Sequence, residues 1–318
     1  MIRRPPRSTH CISSAASDVY KRQQETISVE DRAYGNNNSN IVFGKIINRA
    51  SKDLEFERVI ILGDPSKDLG SLAEDECRRV IAAIDLAAQE KLPVEWIPIS
   101  SGAAIDMKTG TENLDWTARA LRHIVEFTQN GGEINIIVSG INVGAQSYWN
   151  AEATMLQHTK GLLIMTEEGT MVLTGKKALD FSGSVSAEDN IGIGGVEKIM
   201  GPNGQAQFRV KDLAEAYKLL FRHYYFSYSS PKIPYGQERP SNDLLDRDVC
   251  EFPYEDPLSQ GFTKIGDILG DNNMERKKPF DMRQVMHALR DQDSDHLERW
   301  HNMKDAETAI VWETQVGG

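Results

Sequence analysis

Hydrophobic and polar positions follow two rhythms along the first two thirds of the chain. Short apolar or alternating runs at Ile41–Asn48, Arg58–Leu62, Pro93–Ile99 and Ile134–Val138 read as strands, with shorter ones at Gly161–Thr166 and Thr170–Leu173. Between them the spacing is helical. Over Leu72–Glu90 the apolar residues Ala73, Cys77, Val80, Ile81, Ile84, Ala87 and Ala88 share one face, and over Asn113–Asn130 Leu114, Ala118, Leu121, Ile124, Val125 and Thr128 lie on one side. Gly131-Gly132 stops the second helix. A third helix is predicted over Val210–Tyr228, carrying Leu213, Tyr217, Leu220, Phe221 and Tyr224. Residues 182–207 are glycine-rich and read as irregular. Alternating strands and helices predict an α/β layered domain built on a parallel sheet.

The stretch Ile134–Met155 organises this pattern. An apolar strand stops at Ser139-Gly140, and Gly144 opens an apolar helical segment. A strand entering a helix through a glycine turn leaves N–H groups without partners, suited to a phosphate or an oxyanion. A similar turn follows the preceding strand at Ser101-Gly102-Ala103-Ala104-Ile105. By pattern alone two ordinary tight turns are the better reading; a functional reading requires the two to be neighbours in space.

From Ser229 the composition changes. Prolines 231, 234, 240, 253 and 257 interrupt a segment that reads as a linker, a helical pattern resumes at Phe280–Leu289, and Ala309–Trp312 reads as a strand without a partner in view. The domain expectation is therefore 24–230 for the main domain, 231–278 for a linker or wrapping segment, and 279–318 for the truncated start of a second, similar domain. Residues 24–40 read as a loop, with Asn36, Asn37, Asn38 and Asn40 in its last turn.

The net charge of −11 over 318 residues argues against non-specific nucleic-acid binding, and no apolar run is long enough to span a membrane. Cys11, Cys77 and Cys250 are widely spaced, which predicts neither a disulfide framework nor a zinc site, and a reducing, cytoplasmic setting. Residues 1–23, with five basic residues against one acid, have the composition of a mitochondrial presequence, and a matrix location follows if they are genuine. They also resemble translated sequencing-adapter read-through along their whole length, and are set aside for the fold.

Nucleotide motifs are incomplete. Gly192-Ile193-Gly194-Gly195 follows no strand and does not complete a dinucleotide fingerprint; Thr174-Gly175-Lys176-Lys177 lacks the earlier glycine and the final hydroxyl of a phosphate loop. His123, His158, Glu152, Glu167 and Glu168 are available acid–base groups, but spacing assembles no triad from them.

At Ile99–Ile105, Gly140–Met155 and above all MVLTGKKALDFSGSVSAEDNIGIGGVEKIMGPNGQAQ (171–207), the sequence resembles the carboxyltransferase component of biotin-dependent acyl-CoA carboxylases. The resemblance covers about 41–230, as that family's N-terminal half, and resumes at KPFDMR. It is closer to multi-domain, long-chain and eukaryotic-type enzymes than to split bacterial subunits. It implies a crotonase-like (ClpP/crotonase superfamily) ββα fold. The implied activity moves CO2 from carboxybiotin to the α carbon of an acyl-CoA, through enolates held by backbone N–H donors.

The resemblance places Gly144 and Ala145 at an oxyanion pair, with Ala103 and Ala104 on the facing loop. Many acyl-CoA relatives have a second glycine where this chain has Ala145. Gly194 and Gly195 are expected to line the CoA side of the cleft, and Lys176 and Lys177 to meet CoA phosphates or to be plain solvated lysines. The implied partners are acyl-CoA, biotin carboxyl carrier and biotin carboxylase domains, and a second copy of the chain; no metal, nucleic acid or membrane is expected. Because that family's site lies between halves of two subunits, this polypeptide alone is expected to be inactive. Other readings that share the fold are a biotin-dependent decarboxylase, a hydratase or isomerase using paired carboxylates, and a CoA-binding fragment without turnover.

Overall fold

The computed structural model describes residues 17–19, 26–28, 33, 36–49, 54–156, 158–183, 187–234, 238–303 and 308–318. Most of the adapter-like segment 1–23, including Cys11, and much of the predicted loop before Asn36 lie outside the described residues. Of that stretch, β1 (Ser17–Val19) pairs antiparallel with β2 (Thr26–Ser28).

The chain then builds one repeating unit: a main strand, a very short second strand, a helix. β3 (Ile41–Arg49) and β4 (Glu55–Gly63) form an antiparallel pair, and β4 continues into β5 (Ser71–Leu72) and α1 (Glu74–Glu90). Next come β6 (Val94–Ile97), β7 (Gly102–Ala103) and α2 (Glu112–Gln129), then β8 (Ile134–Val138), β9 (Ile141–Val143) and α3 (Ala145–Thr154). A fourth unit has β10 (Leu163–Thr166), β11 (Thr170–Val172) and the short helices α4 (Lys176–Phe181) and α5 (Asn190–Gly194). β12 (Phe208–Val210) and α6 (Leu213–Ser227) end the series.

The main strands make a six-stranded sheet in the order β12-β10-β8-β6-β4-β3, parallel except for β3. The short strands form a second ladder beyond the carboxyl ends of the first. β5 pairs with β7, Ser100 bridges Asn142, and β9 pairs with β11, all parallel. Each turn into a helix is thereby set beside the turns of the units next to it.

Strand β8 shows why its sequence reads as an apolar run interrupted only by Asn135. Ile134, Ile136 and Val138 face the core shared with α1, α2 and α3, whereas Ile137 faces the core shared with α6. A strand covered on both faces takes apolar side chains on both rather than at alternate positions; the one polar residue, Asn135, is buried and donates to Glu133 at 2.6 Å. Helix α1 starts without a capping side chain at Ala73; the Glu76 carboxylate instead accepts from the Ala73 N–H at 3.1 Å and from the Asn40 N–H at 3.1 Å.

Two expectations about elements change. The buried residues of α2 are Asn113, Thr117, Ala120, Ile124, Phe127 and Thr128; Ile124 and Thr128 are shared with the predicted face, the others rotate it, and Leu114 is exposed. The rotation serves polar groups: Asn113 donates to the Ala104 carbonyl at 2.9 Å, and the Trp149 indole to the Thr117 carbonyl at 3.2 Å. The stretch 182–207, read as irregular, contains α5 and a wide helical turn at Val196–Met200.

Beyond α6, a small cluster of Tyr254, Phe262, Ile265, Ile268 and Ala288 joins α7 (Ile265–Leu269) to α8 (Met282–Leu289). The predicted terminal strand is β14 (Val311–Thr314), and its partner is β13 (His296–Arg299), which pairs with it antiparallel. This hairpin is fastened to α6. His223 lies 2.7 Å from Glu313 and 3.1 Å from Glu133, the Trp300 indole donates to the Gly204 carbonyl, and Leu297 enters the α6 core.

Candidate functional site

The two turns singled out in the sequence are neighbours. The Ser100 N–H donates to the Ile141 carbonyl at 2.9 Å and the Val143 N–H to the Ser100 carbonyl at 3.0 Å, so the chain after β6 runs alongside the chain after β8. A methyl group built on Gly144 would lie 3.9 Å from the Gly102 Cα and 3.8 Å from the Leu173 carbonyl. Gly144 has φ +58°, a conformation that L side chains avoid, and it redirects the chain from β9 into α3.

The four amides at these turns do not behave alike. The Ala104 N–H donates to the Leu72 carbonyl at 2.8 Å, and the Gly144 N–H to the Val172 carbonyl at 2.9 Å. Both are therefore spent in the second ladder, which revises the expectation that all four residues offer donors. Ala103 sits between the ladder-bonded positions of β7, so its N–H points away from β5. Ala145 is the first residue of α3, where the helix has no internal acceptor for its N–H. Among the described residues no backbone partner outside the regular elements takes either amide. Both residues are half-buried. The arrangement reduces to two free N–H groups, from Ala103 and Ala145, on adjoining turns.

What holds the Gly144 turn in place was not read from the sequence. Below it lies a buried polar chain: Gln146 donates to Asn150 at 2.9 Å, Asn150 donates to the Asn142 side-chain oxygen at 3.0 Å, and Asn142 donates to the Pro98 carbonyl at 3.1 Å. Ser147 Oγ lies within hydrogen-bond reach of two carbonyls, those of Asn142 at 2.9 Å and Val172 at 3.2 Å. The segment expected to be an apolar helix thus begins with three buried polar side chains, Gln146, Ser147 and Asn150. The signal was present as the spacing of four in Asn142, Gln146 and Asn150.

Gly194 and Gly195 are buried. A methyl on Gly194 would meet the Met171 carbonyl oxygen at 2.0 Å, and one on Gly195 the Ile191 carbonyl oxygen at 2.5 Å. They are glycines because backbone packs on backbone between α5 and β11. Lys176 pairs with Asp180 at 2.6 Å, and its N–H is accepted by Asn190. Lys177 is exposed, with no ion pair among the described residues.

Charge is unevenly spread around the turns. A groove of about 890 Å³ on the Ala103–Ala104 side is lined by Asp68, Glu74, Asp75, Asp106 and Glu112. The conventional catalysts lie elsewhere. His123 pairs with Asp85 at 2.8 Å, His158 with Thr128 at 3.1 Å, and Glu167 with Arg209 at 3.3 Å. Burial pushes the Cys77 thiol up to about 12, helped by nearby Glu76, so it is no thiolate nucleophile. Among the described residues, no three His, Cys, Asp or Glu side chains gather as a metal site, and no helix is long and apolar enough to cross a membrane.

A family model described as the carboxyl transferase domain matches residues 57–308. No curated relative matches the chain. Among solved structures, two crystal structures of transcarboxylase 12S superpose with a TM-score of 0.66 each. One holds hydrolysed methylmalonyl-coenzyme A and is 19% identical, covering 96% of this chain and 52% of that one. The other holds methylmalonyl-coenzyme A and methylmalonic acid and is 18% identical, covering 96% and 53%. The chain spans about half the length of those structures, and at such identity the likeness concerns the fold. The repeating ββα spiral is the crotonase-like fold that the sequence resemblance implied, and with the family model matched from residue 57 to 308 the chain belongs to the carboxyl transferase domain family.

Proposed function

We propose that this chain holds an acyl-CoA for biotin-dependent carboxyl transfer, with the thioester oxygen between the Ala103 and Ala145 N–H groups. When the α proton leaves, charge moves onto that oxygen, and fixed donors stabilise it without reorganising. The observation that carries the reading is the pairing of two unspent amides on adjoining turns in a carboxyl transferase domain. Small residues, Gly102, Ala103, Gly144 and Ala145, let a thioester reach the backbone there.

Carboxybiotin, when bound, supplies the CO2 and a base for the α proton. This chain's own work is to orient the thioester, to hold the developing charge and to keep the Gly144 turn rigid through Asn142 and Ser147. No side-chain nucleophile is required. The same donors serve carboxylation and decarboxylation, because one enolate lies between the two; the reading adopted is the acyl-CoA carboxylase direction.

The acid-lined groove beside Ala103 repels phosphates, so the CoA phosphates are assigned to the α4 side, with Lys177 as the available cation and Lys176 held by Asp180. The proposed partners are a biotin carboxyl carrier domain, a biotin carboxylase and a second copy of the chain, in the cytoplasm. The chain alone binds acyl-CoA without turning it over; robust decarboxylation of malonyl-CoA with free biotin by this chain alone would contradict that part. The reading as a whole is tested by calorimetric titration with acetyl-CoA. Saturable binding at one site is expected, and no binding at millimolar ligand would overturn it.

A further inference from the structure

We propose a second ligand site on the opposite rim of the sheet, for a small anion carried on an apolar body. The main strands are parallel, so the turns carrying Ala103 and Ala145 lie at their carboxyl ends. At their amino ends, where α1 and α2 terminate, a groove of about 790 Å³ opens between the two helices and the Ser229–Pro234 segment. That volume falls within the range of small-molecule pockets, roughly 300–1,000 Å³.

The floor is apolar. Phe127, Ile84 and Leu92 line it, each almost wholly covered by the core beneath. The Phe127 ring packs directly against Gly132, where an added methyl would lie 2.5 Å from it, so the lack of a side chain there makes room for the ring. Pro231 and Pro234 form the outer lip.

The charges on the wall decide the ligand. Three acids line the groove, and each already has a cation or donor. Asp85 holds His123 at 2.8 Å, Glu126 holds Arg122 at 2.6 Å, and Glu133 holds the buried His223 at 3.1 Å. Burial disfavours the charged form of His223, yet Glu133 and Glu313 push it up to about 9, so that it neutralises charge there at pH 7. Lys91 and Lys160 line the same groove and have no ion pair among the described residues. In a chain of net charge −11, two exposed lysines without an ion pair among the described residues line the same groove. The helix ends contribute partial negative charge of about half a unit each, less than two full cations supply. The groove is therefore matched to a carboxylate or phosphate on a short hydrocarbon chain. It is separate from the acyl-CoA turns and independent of the function proposed for them.

The test uses the full chain and three probes that share one tail: decanoate, decyl phosphate and decyltrimethylammonium. Calorimetry in the presence of saturating CoA is expected to show one site for decanoate or decyl phosphate, the tighter of the two naming the head group. The ammonium probe is expected to bind at least tenfold more weakly. The Lys91→Gln/Lys160→Gln variant, altered only at two exposed side chains, is expected to lose at least tenfold in affinity for the anions with its melting temperature unchanged. Equal binding of the cation, anion binding that survives the double variant, displacement of the anion by CoA, or no binding of either anion would each overturn the proposal.

Discussion

The Gly144 N–H points at the Val172 carbonyl, 2.9 Å away, rather than into the cleft. That bond ties the start of α3 to the end of β11 and leaves the next amide, Ala145, as the donor the helix start presents. The glycine shapes the turn through its φ of +58°, and the alanine supplies the N–H.

This division of labour makes Ala145→Pro informative. Proline at the first helical position removes the N–H while suiting the local conformation. The variant is expected to keep its circular dichroism spectrum and melting temperature. In the assembled enzyme carrying this chain, its kcat is expected to fall about 10²–10³-fold, the usual cost of one oxyanion donor. Unchanged turnover in a folded variant would remove Ala145 from the site.

Gly194 is assigned to packing. Gly194→Ala drives a methyl to 2.0 Å from the Met171 carbonyl oxygen and is expected to destabilise by about 1–3 kcal/mol in urea unfolding. Gly140→Ala, whose methyl would meet only the Ile99 side chain at 3.6 Å, serves as the mild comparison. Equal stability of the two variants would contradict the assignment.

The lysines on α4 differ in their partners. Lys177→Glu is expected to weaken acetyl-CoA binding several-fold, with an effect that shrinks as salt is raised. Lys176→Gln, which releases an existing pair with Asp180, is expected to weaken it less. Calorimetry at two ionic strengths reads both, and the reverse ranking would move the phosphates elsewhere.

His223 links stability to pH. Burial opposes its charge, but Glu133 and Glu313 raise it from 6.5 to about 9. A folded-state pKa above the unfolded one gives stability that is fully present below pH 6.5 and is lost as pH rises towards 9. Urea unfolding is expected to show that decline, and His223→Gln to flatten it at lower overall stability. A wild-type profile level from pH 6.5 to 9 would mean that the Glu313 contact does not hold the β13–β14 hairpin.

Much of this architecture was legible in the sequence because long elements carry periodic signals. β8 appears over the very residues its apolar run marks, and α1 follows its spacing of three and four. The short strands β5, β7, β9 and β12 escaped, although the equally short β11 was read, because two or three residues carry at most a weak signal and their places come from pairing with distant chain. The turns at Gly102 and Gly144 were visible as glycines, but the direction of each N–H was not. Whether an amide is free depends on a carbonyl some thirty residues away, as with Ala104 and Leu72. The Asn142–Asn150–Gln146 chain was missed for a related reason: polar residues in a helix read as exposed until tertiary contacts bury them.

The central claim concerns one oxygen and two amides, and the carbonyl carbon reports on it without turnover. The measurement is the ¹³C chemical shift of [1-¹³C]acetyl-CoA bound to this chain. The account predicts a downfield shift from the free thioester that is lost in Ala145→Pro while binding remains. A bound carbonyl at the free-ligand shift, or a shift untouched by the proline, would contradict it.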